Sequence, residues 1–296
     1  MKRLLGIFFL LSSAMGFISP SLACTTCMCG DPTITTMGLE KPYAGRLRFS
    51  AQNFFRSEEL GGANQNQTTI RENQLALSTS YSFSPSLTFA VTAPLVWKDL
   101  RADNGARTSV MGMGDLALQS RILLLDNDYN SGKDLFGVLA GVQVPVAATK
   151  NTSSGEPLGI QSGSGAVTPQ AGLWYGHFSF PWSVYANAAV QTPVRHRDYS
   201  KPGTAVLHSL IVQYQINSSL ALQLAEESRW SARDEEFGET DVNSGGWITF
   251  LSPKLAWGFY KDMLLNIAVQ IPTISNLNGA HTEGYSIQGG LVYDFF

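Results

Sequence analysis

From Gly45 onward the chain alternates apolar and polar residues with a period of two. That is the pattern of a strand with one face toward an apolar medium and the other toward a polar one. The clearest stretch is residues 285–296. Tyr285, Ile287, Leu291, Tyr293 and Phe295 share one face, and Ser286, Gln288, Gly290 and Asp294 share the other. Over 45–57, Leu47, Phe49 and Phe55 oppose Arg46, Arg48, Ser50, Gln52 and Arg56. Over 68–83, Leu75, Leu77, Tyr81 and Phe83 oppose Gln74, Ala76, Ser78 and Ser80. Over 87–100, Leu87, Phe89, Val91, Leu95 and Trp97 oppose Thr88, Ala90, Thr92 and Lys98. Over 109–125, Leu116, Leu118, Ile122 and Leu124 oppose Asp115, Ala117, Gln119 and Arg121. Segments near 135–149, 165–180, 182–197, 203–216, 219–233, 244–259 and 263–275 bring the number to twelve.

The connections sharpen this pattern. Tight turns fall at Ser84-Pro85-Ser86, Phe180-Pro181, Asn217-Ser218 and Tyr260-Lys261-Asp262. Longer polar connections, at 57–67, 100–109, 149–165, 197–203, 233–243 and 275–283, alternate with them. Bacterial outer-membrane barrels separate short periplasmic turns from extracellular loops in this way. The stretch from Asp126 to Asp134 breaks the rule, reading as an overlong turn on the short-turn side. Tyr81, Phe83, Phe89, Trp182, Trp257, Tyr260, Tyr293 and Phe295 sit near short turns, and Trp97, Trp230 and Trp247 near long connections. Two such groups match the aromatic girdles of a barrel. The predicted fold is all-β: a monomeric, transmembrane, up-and-down antiparallel β-barrel of about 12 strands over residues 45–296.

Composition supports a membrane β-protein. Charged residues make up only 15% of the chain and apolar ones 44%, against roughly 25% charged in soluble domains. No apolar run of about 18 residues occurs beyond the N-terminus, which excludes helical spanning. The net charge of −3 gives no basis for nucleic-acid binding. Residues 1–23 read as an export signal: Lys2 and Arg3, an apolar run from Leu4 to Phe17, then Ser21-Leu22-Ala23 as a small-x-small cleavage site. Cleavage after Ala23 removes those two cations and takes the net charge from −3 to −5. Residues 24–44 then form a periplasmic leader holding all three cysteines, Cys24, Cys27 and Cys29. Their C-x-x-C-x-C spacing lets thiolates converge on Cu or Zn. A disulfide, or lipidation of Cys24, accounts for the same residues equally well.

Inward positions supply the candidate lumen chemistry. Arg46, Arg48, Lys98, Asp115 and Arg121 fall on the polar face and are expected to pair with one another, or to set selectivity if a pore is open. Val91-Thr-Ala-Pro94, Val142-Gln-Val-Pro145, Val190-Gln-Thr-Pro193 and Val269-Gln-Ile-Pro272 repeat one pattern at similar depth. Proline cannot donate to a ladder, so these mark a level where strands bend or pairing loosens. They place Gln143, Gln191 and Gln270 in the lumen just below. His177, His196, His208 and His281 show no metal-ligand spacing, and there is no G-x-S-x-G elbow, so an enzyme has no support. Glu226, Glu227, Asp234, Glu235, Glu236, Glu239 and Asp241 read as a solvated acidic cluster around one long connection.

Gly112-Met-Gly-Asp115 with Arg121, Gly141-x-x-x-Pro145 and Gly163-Ser-Gly165 resemble the landmarks of an exported barrel family named for the meta pathway of phenol degradation. Where that family has P-T-G, this chain has Pro145-Val146-Ala147, and the cysteine leader lies outside the pattern. The resemblance implies an outer-membrane, transporter-like barrel passing small solutes, aromatic or hydrophobic compounds among them. The last strand, with Gln288-x-Gly290-x-x-Tyr293-x-Phe295, also resembles the signal read by the barrel-insertion machinery. The expected partners are thus outer-membrane lipid, that machinery and a small-molecule solute. The alternative is a non-conducting barrel whose leader binds a soft metal or a periplasmic partner. Eight strands give a barrel filled by side chains and sixteen a water channel, so about twelve leaves the lumen undecided.

Overall fold

The computed structural model describes residues 43–62, 65–129, 132–147, 161–194, 200–236 and 238–295, and the cysteine leader lies outside them. Strands occupy Leu47–Gly62 (β1), Gln65–Ser84 (β2), Leu87–Ala102 (β3), Arg107–Met113 (β4), Leu116–Tyr129 (β5) and Gly132–Val144 (β6). They continue with Thr168–Ser179 (β7), Trp182–Gln191 (β8), Ser200–Lys201 (β9), Ala205–Asn217 (β10), Leu220–Ser231 (β11), Glu235–Glu236 (β12) and Glu239–Thr240 (β13). The last four are Gly246–Tyr260 (β14), Met263–Leu277 (β15), His281–Glu283 (β16) and Ser286–Phe295 (β17). Because β4 continues into β5 and β16 into β17, the wall has twelve staves. Each pairs antiparallel with its chain neighbours, and β1 closes the circle on β17 from Leu47–Phe295 to Phe55–Ile287. The all-β, twelve-stranded antiparallel barrel is the architecture the alternation predicts. The pieces β9, β12 and β13 form a separate three-stranded sheet at the long-loop end.

The face assignments hold along the staves. In β17, Ser286, Gln288, Gly290, Val292 and Asp294 are buried toward the interior, while Ile287, Leu291 and Phe295 are exposed outward. In β10, Leu210, Val212, Tyr214 and Ile216 point out, and Ser209, Ile211, Gln213 and Gln215 point in. Trp182 and Trp257 are exposed near the short turns; Trp230 and Trp247, cross-strand partners, are exposed toward the opposite rim.

Two expected connections are strand instead. Asp126 to Tyr129 pair with Leu135 to Gly132, so most of the supposed overlong turn is strand and the short–long alternation becomes regular. Lys133 Nζ, at 2.9 Å from Asp126 and 3.2 Å from Asp128, offsets the repulsion between these acids and lets the hairpin extend. Residues 57–62 and 65–67 likewise continue β1 and β2 rather than forming a loop.

The four prolines stand where the ladder stops or shifts. Pro94 faces Gly114, whose N–H reaches the Pro94 carbonyl at 2.7 Å, and the break divides β4 from β5. A Cβ on Gly114 would lie 2.8 Å from the Pro94 ring, so only glycine fits. Pro272 sits at the register shift opposite Thr249 and Phe250. Pro145 and Pro193 lie just past the ends of β6 and β8. Pairing therefore loosens at the level the repeat marks.

Candidate functional site

The short-turn half of the lumen is filled. Arg48 and Asp294 face each other across the closing seam, with Nε to Oδ1 at 2.5 Å and Nη2 to Oδ2 at 2.6 Å. Arg46 Nη2 adds a third bond to Asp294 at 2.8 Å. On the opposite arc, Leu135, Leu139, Trp174, Tyr185, Ile211 and Ala225 form an apolar cluster with Leu123 and Phe178 against it. Trp174 and Tyr185 are stacked, and the Arg121 guanidinium lies over the Trp174 ring at 5.0 Å. Ala221, Ala256, Leu264 and Val292 make a second cluster, and Gln223 Nε2 donates to Gln213 Oε1 at 2.7 Å beside it. Twelve strands thus enclose a lumen half packed by its own side chains.

Above this floor lies a cavity of about 470 Å³. One charged group of its wall is Glu227, which accepts from Lys254 Nζ at 2.7 Å, Ser252 Oγ at 2.6 Å and Gln270 Nε2 at 2.6 Å. Ser286 Oγ then donates to Gln270 Oε1 at 2.6 Å, joining β11, β14, β15 and β17 in one network. Toward the long-loop rim a chain of ion pairs, linked through the His281 imidazole, runs along the inner wall. Lys98 stands 3.5 Å from Glu72; Arg56 lies 2.8 Å from both Glu72 and Glu58; His281 lies 3.6 Å from Glu58 and 3.9 Å from Glu283; and Arg229 pairs with Glu283. Because β14 and β15 separate β11 from β16, the Arg229–Glu283 pair spans two staves across the lumen. Lys98, Arg56, Arg229 and Lys254 face Glu58, Glu72, Glu227 and Glu283, so each cation has a carboxylate and the fixed charge balances.

The family landmarks converge elsewhere. Asp115 Oδ2 accepts from the Ser164 N–H at 2.6 Å and its hydroxyl at 2.7 Å. A Cβ on Gly163 would meet Asp115 Oδ1 at 2.3 Å and Ala147 at 2.4 Å, and one on Gly112 would meet Ser162. The segment 161–167 is therefore clasped to the inner side of β4 and β5. Asp115 is a fastener for that segment, and Asp115 Oδ1 is buried without a hydrogen-bond partner among the described residues.

Of the residues expected in the lumen, Gln270 lines the cavity, and Lys98 belongs to the charged chain at its rim. Arg46, Arg48 and Arg121 are in the floor, and Asp115 is in the clasp. Gln191 pairs with Gln170 at 3.2 Å, and Gln143 sits on the inward face of β6 opposite Thr168. Glu226 and Glu227 are strand residues of β11, not part of an acidic loop: Glu227 points in, and Glu226 pairs with His208 Nδ1 at 2.9 Å. Gln52, Gln74, Gln288, Arg229 and Glu283 carry the same period-two signal and line the cavity, but spacing along one strand cannot show which inward residues share a level. In the long-loop sheet, burial pushes the Asp234 carboxyl above its ordinary range, partly opposed by the Gly203 N–H at 2.7 Å.

No protein-family model matches the sequence, and neither does any curated protein. Among solved structures, the barrel is similar to an outer-membrane channel from Pseudomonas putida F1, with a TM-score of 0.70 at 14% identity, covering 87% of this chain and 98% of that one. The translocator domain of the autotransporter NalP from Neisseria meningitidis aligns at a TM-score of 0.49 and 13% identity, covering 87% and 91%. The first likeness shows the fold, that of an outer-membrane β-barrel.

Proposed function

We propose that the protein is an outer-membrane channel for small solutes. The observation that carries this reading is the cavity of about 470 Å³ set inside a closed barrel between a packed floor and a charge-paired rim. A barrel built only as an anchor has no need of a solute-sized space with polar groups aimed into it. Aromatic and hydrophobic compounds are the solutes suggested by the motif resemblance, and balanced wall charge favours uncharged ones. Residues 1–23 serve as the export signal, the short turns face the periplasm, and the leader with Cys24, Cys27 and Cys29 lies on that side. The chemistry is passage. Because the floor is filled, passage requires its side chains to move, and conductance in simple salt is expected to be small.

Single-channel recording in planar bilayers tests the reading. Discrete small current steps are expected from folded protein. Folded barrels that pass neither ions nor small solutes in liposome swelling would overturn it.

A further inference from the structure

Resting on that reading, we infer that the cavity is a binding site for an uncharged ring-bearing solute with apolar faces and a hydroxyl at its edge. The charged groups of the wall are already satisfied. The carboxylates Glu72, Glu227 and Glu283 and the guanidiniums Arg56 and Arg229 are all engaged in ion pairs. The carboxamides of Gln52, Gln74 and Gln288 have no hydrogen-bond partner among the described residues, and all three line the cavity. Ser209 Oγ, across the cavity on β10, is also buried without one among the described residues. Gln288 is only 6% exposed and Ser209 5%. The unspent hydrogen-bonding capacity is therefore neutral. A charged solute would have to break existing pairs, whereas a hydroxyl can donate to an amide oxygen or accept from an amide nitrogen.

The register fixes the shape of the site. Phe54 on β1 stands opposite Gln74 on β2 and Gln288 on β17, so an aromatic side chain is flanked on both sides by carboxamides at one level. Six staves away in either direction is β8, where Ala189 is level with Leu207 of β10, and Leu139 of β6 completes an apolar wall. An aromatic face with amides at its edges on one side, and small aliphatic groups on the other, accepts a flat or puckered ring between them. The ring's polar group then reaches the amides. Leu139 also belongs to the apolar cluster of the floor, so the apolar wall continues from the cavity toward the short-turn end.

The test compares four probes with one ring: cyclohexanol, cyclohexane, cyclohexanecarboxylate and, as a ring without apolar faces, glucose. Binding to the full chain, folded in detergent, is measured by ligand-observed NMR. Cyclohexanol is expected to bind at least about tenfold tighter than the carboxylate. A Gln74→Leu/Gln288→Leu double variant should weaken cyclohexanol about fivefold for each hydrogen bond lost, leaving cyclohexane unchanged or tighter. Ala76→Trp, which fills the cavity from β2, should abolish binding of both, so that partition into the micelle is separated from binding to the protein. Folding of each variant is checked by its heat-dependent gel mobility. Tightest binding by the carboxylate, or binding indifferent to Ala76→Trp, would overturn the inference. Glucose binding more tightly than cyclohexanol would overturn its apolar half. Because binding is read without current, a barrel that binds cyclohexanol but never conducts refutes the channel and keeps the site. A barrel that conducts but binds none of the probes does the reverse.

Discussion

Asp294→Ala is the most informative single change. Among the described residues it removes the only ion-pair partner of Arg48, whose side chain is 1% exposed, and strips Arg46 of its bond to the same carboxylate. Three charge-assisted hydrogen bonds of 2.5 to 2.8 Å disappear, and two guanidiniums stay in the packed floor. Breaking a buried pair while stranding its partner costs about 3–5 kcal/mol, whereas replacing all members by apolar groups of similar size is close to neutral. Asp294→Ala is therefore expected to lose about 3–5 kcal/mol, and a triple Arg46→Met/Arg48→Met/Asp294→Leu variant to lie near the parent. The assay is equilibrium urea unfolding in detergent, with tryptophan emission and heat-dependent gel mobility as independent probes. A change below about 0.5 kcal/mol for Asp294→Ala would refute the reasoning. It would mean that water reaches both arginines and that the floor is wet rather than packed.

Other substitutions probe the wall and rim. Gly137→Ala places a Cβ 2.0 Å from the Ile122 carbonyl oxygen and 2.6 Å from Trp174 Nε1; it should cost about 1–3 kcal/mol or more and red-shift the emission of a displaced Trp174. Glu227→Gln leaves Lys254, with a fully buried side chain, without its ion partner, and should shift the reversal potential in a salt gradient toward anion preference. Lys98→Ala should shift it the opposite way, because Glu72 then keeps Arg56 alone. Asp115→Ala unfastens 161–167 and should expose it to protease while the barrel still runs as folded. For Asp234 the folded carboxyl holds its proton more tightly than the unfolded one, so protonation favours the folded sheet. That stabilisation is present at low pH and is lost as pH rises through the raised value. Hydrogen exchange of β9, β12 and β13 should accordingly speed up with pH beyond the intrinsic rate, and Asp234→Asn should remove the excess.

The barrel was legible because every stave repeats one instruction: lipid on one side, lumen on the other. Even the weakest segments inherit their assignment from that alternation and from the spacing of turns. Misreadings arose where charge was taken for loop. Asp126, Asp128 and Lys133 are polar yet strand-forming because they neutralise one another across a hairpin. The site was less legible for a geometric reason. Proline-adjacent Gln143, Gln191 and Gln270 were prominent by their repeat, but only Gln270 lines the cavity, because ladder registers rather than sequence spacing decide which inward residues meet. Glu283 and Arg229 are 54 positions apart, with two staves between theirs, so no local pattern joins them.

The seam between β1 and β17 bears on biogenesis. Arg46 and Arg48 enter the barrel at its opening strand, yet the carboxylate that satisfies them arrives 246 residues after Arg48, at the end of the strand that closes the wall. In an emerging chain Arg48 stays solvated, without that carboxylate, until the closing strand is present. A polypeptide cut short before Asp294 could still zip most of its hairpins, but Arg48 would be left at the join without its carboxylate. The seam thus ties closure of the wall to the arrival of one carboxylate, so the energy of the join is gained only when the last strand pairs with the first.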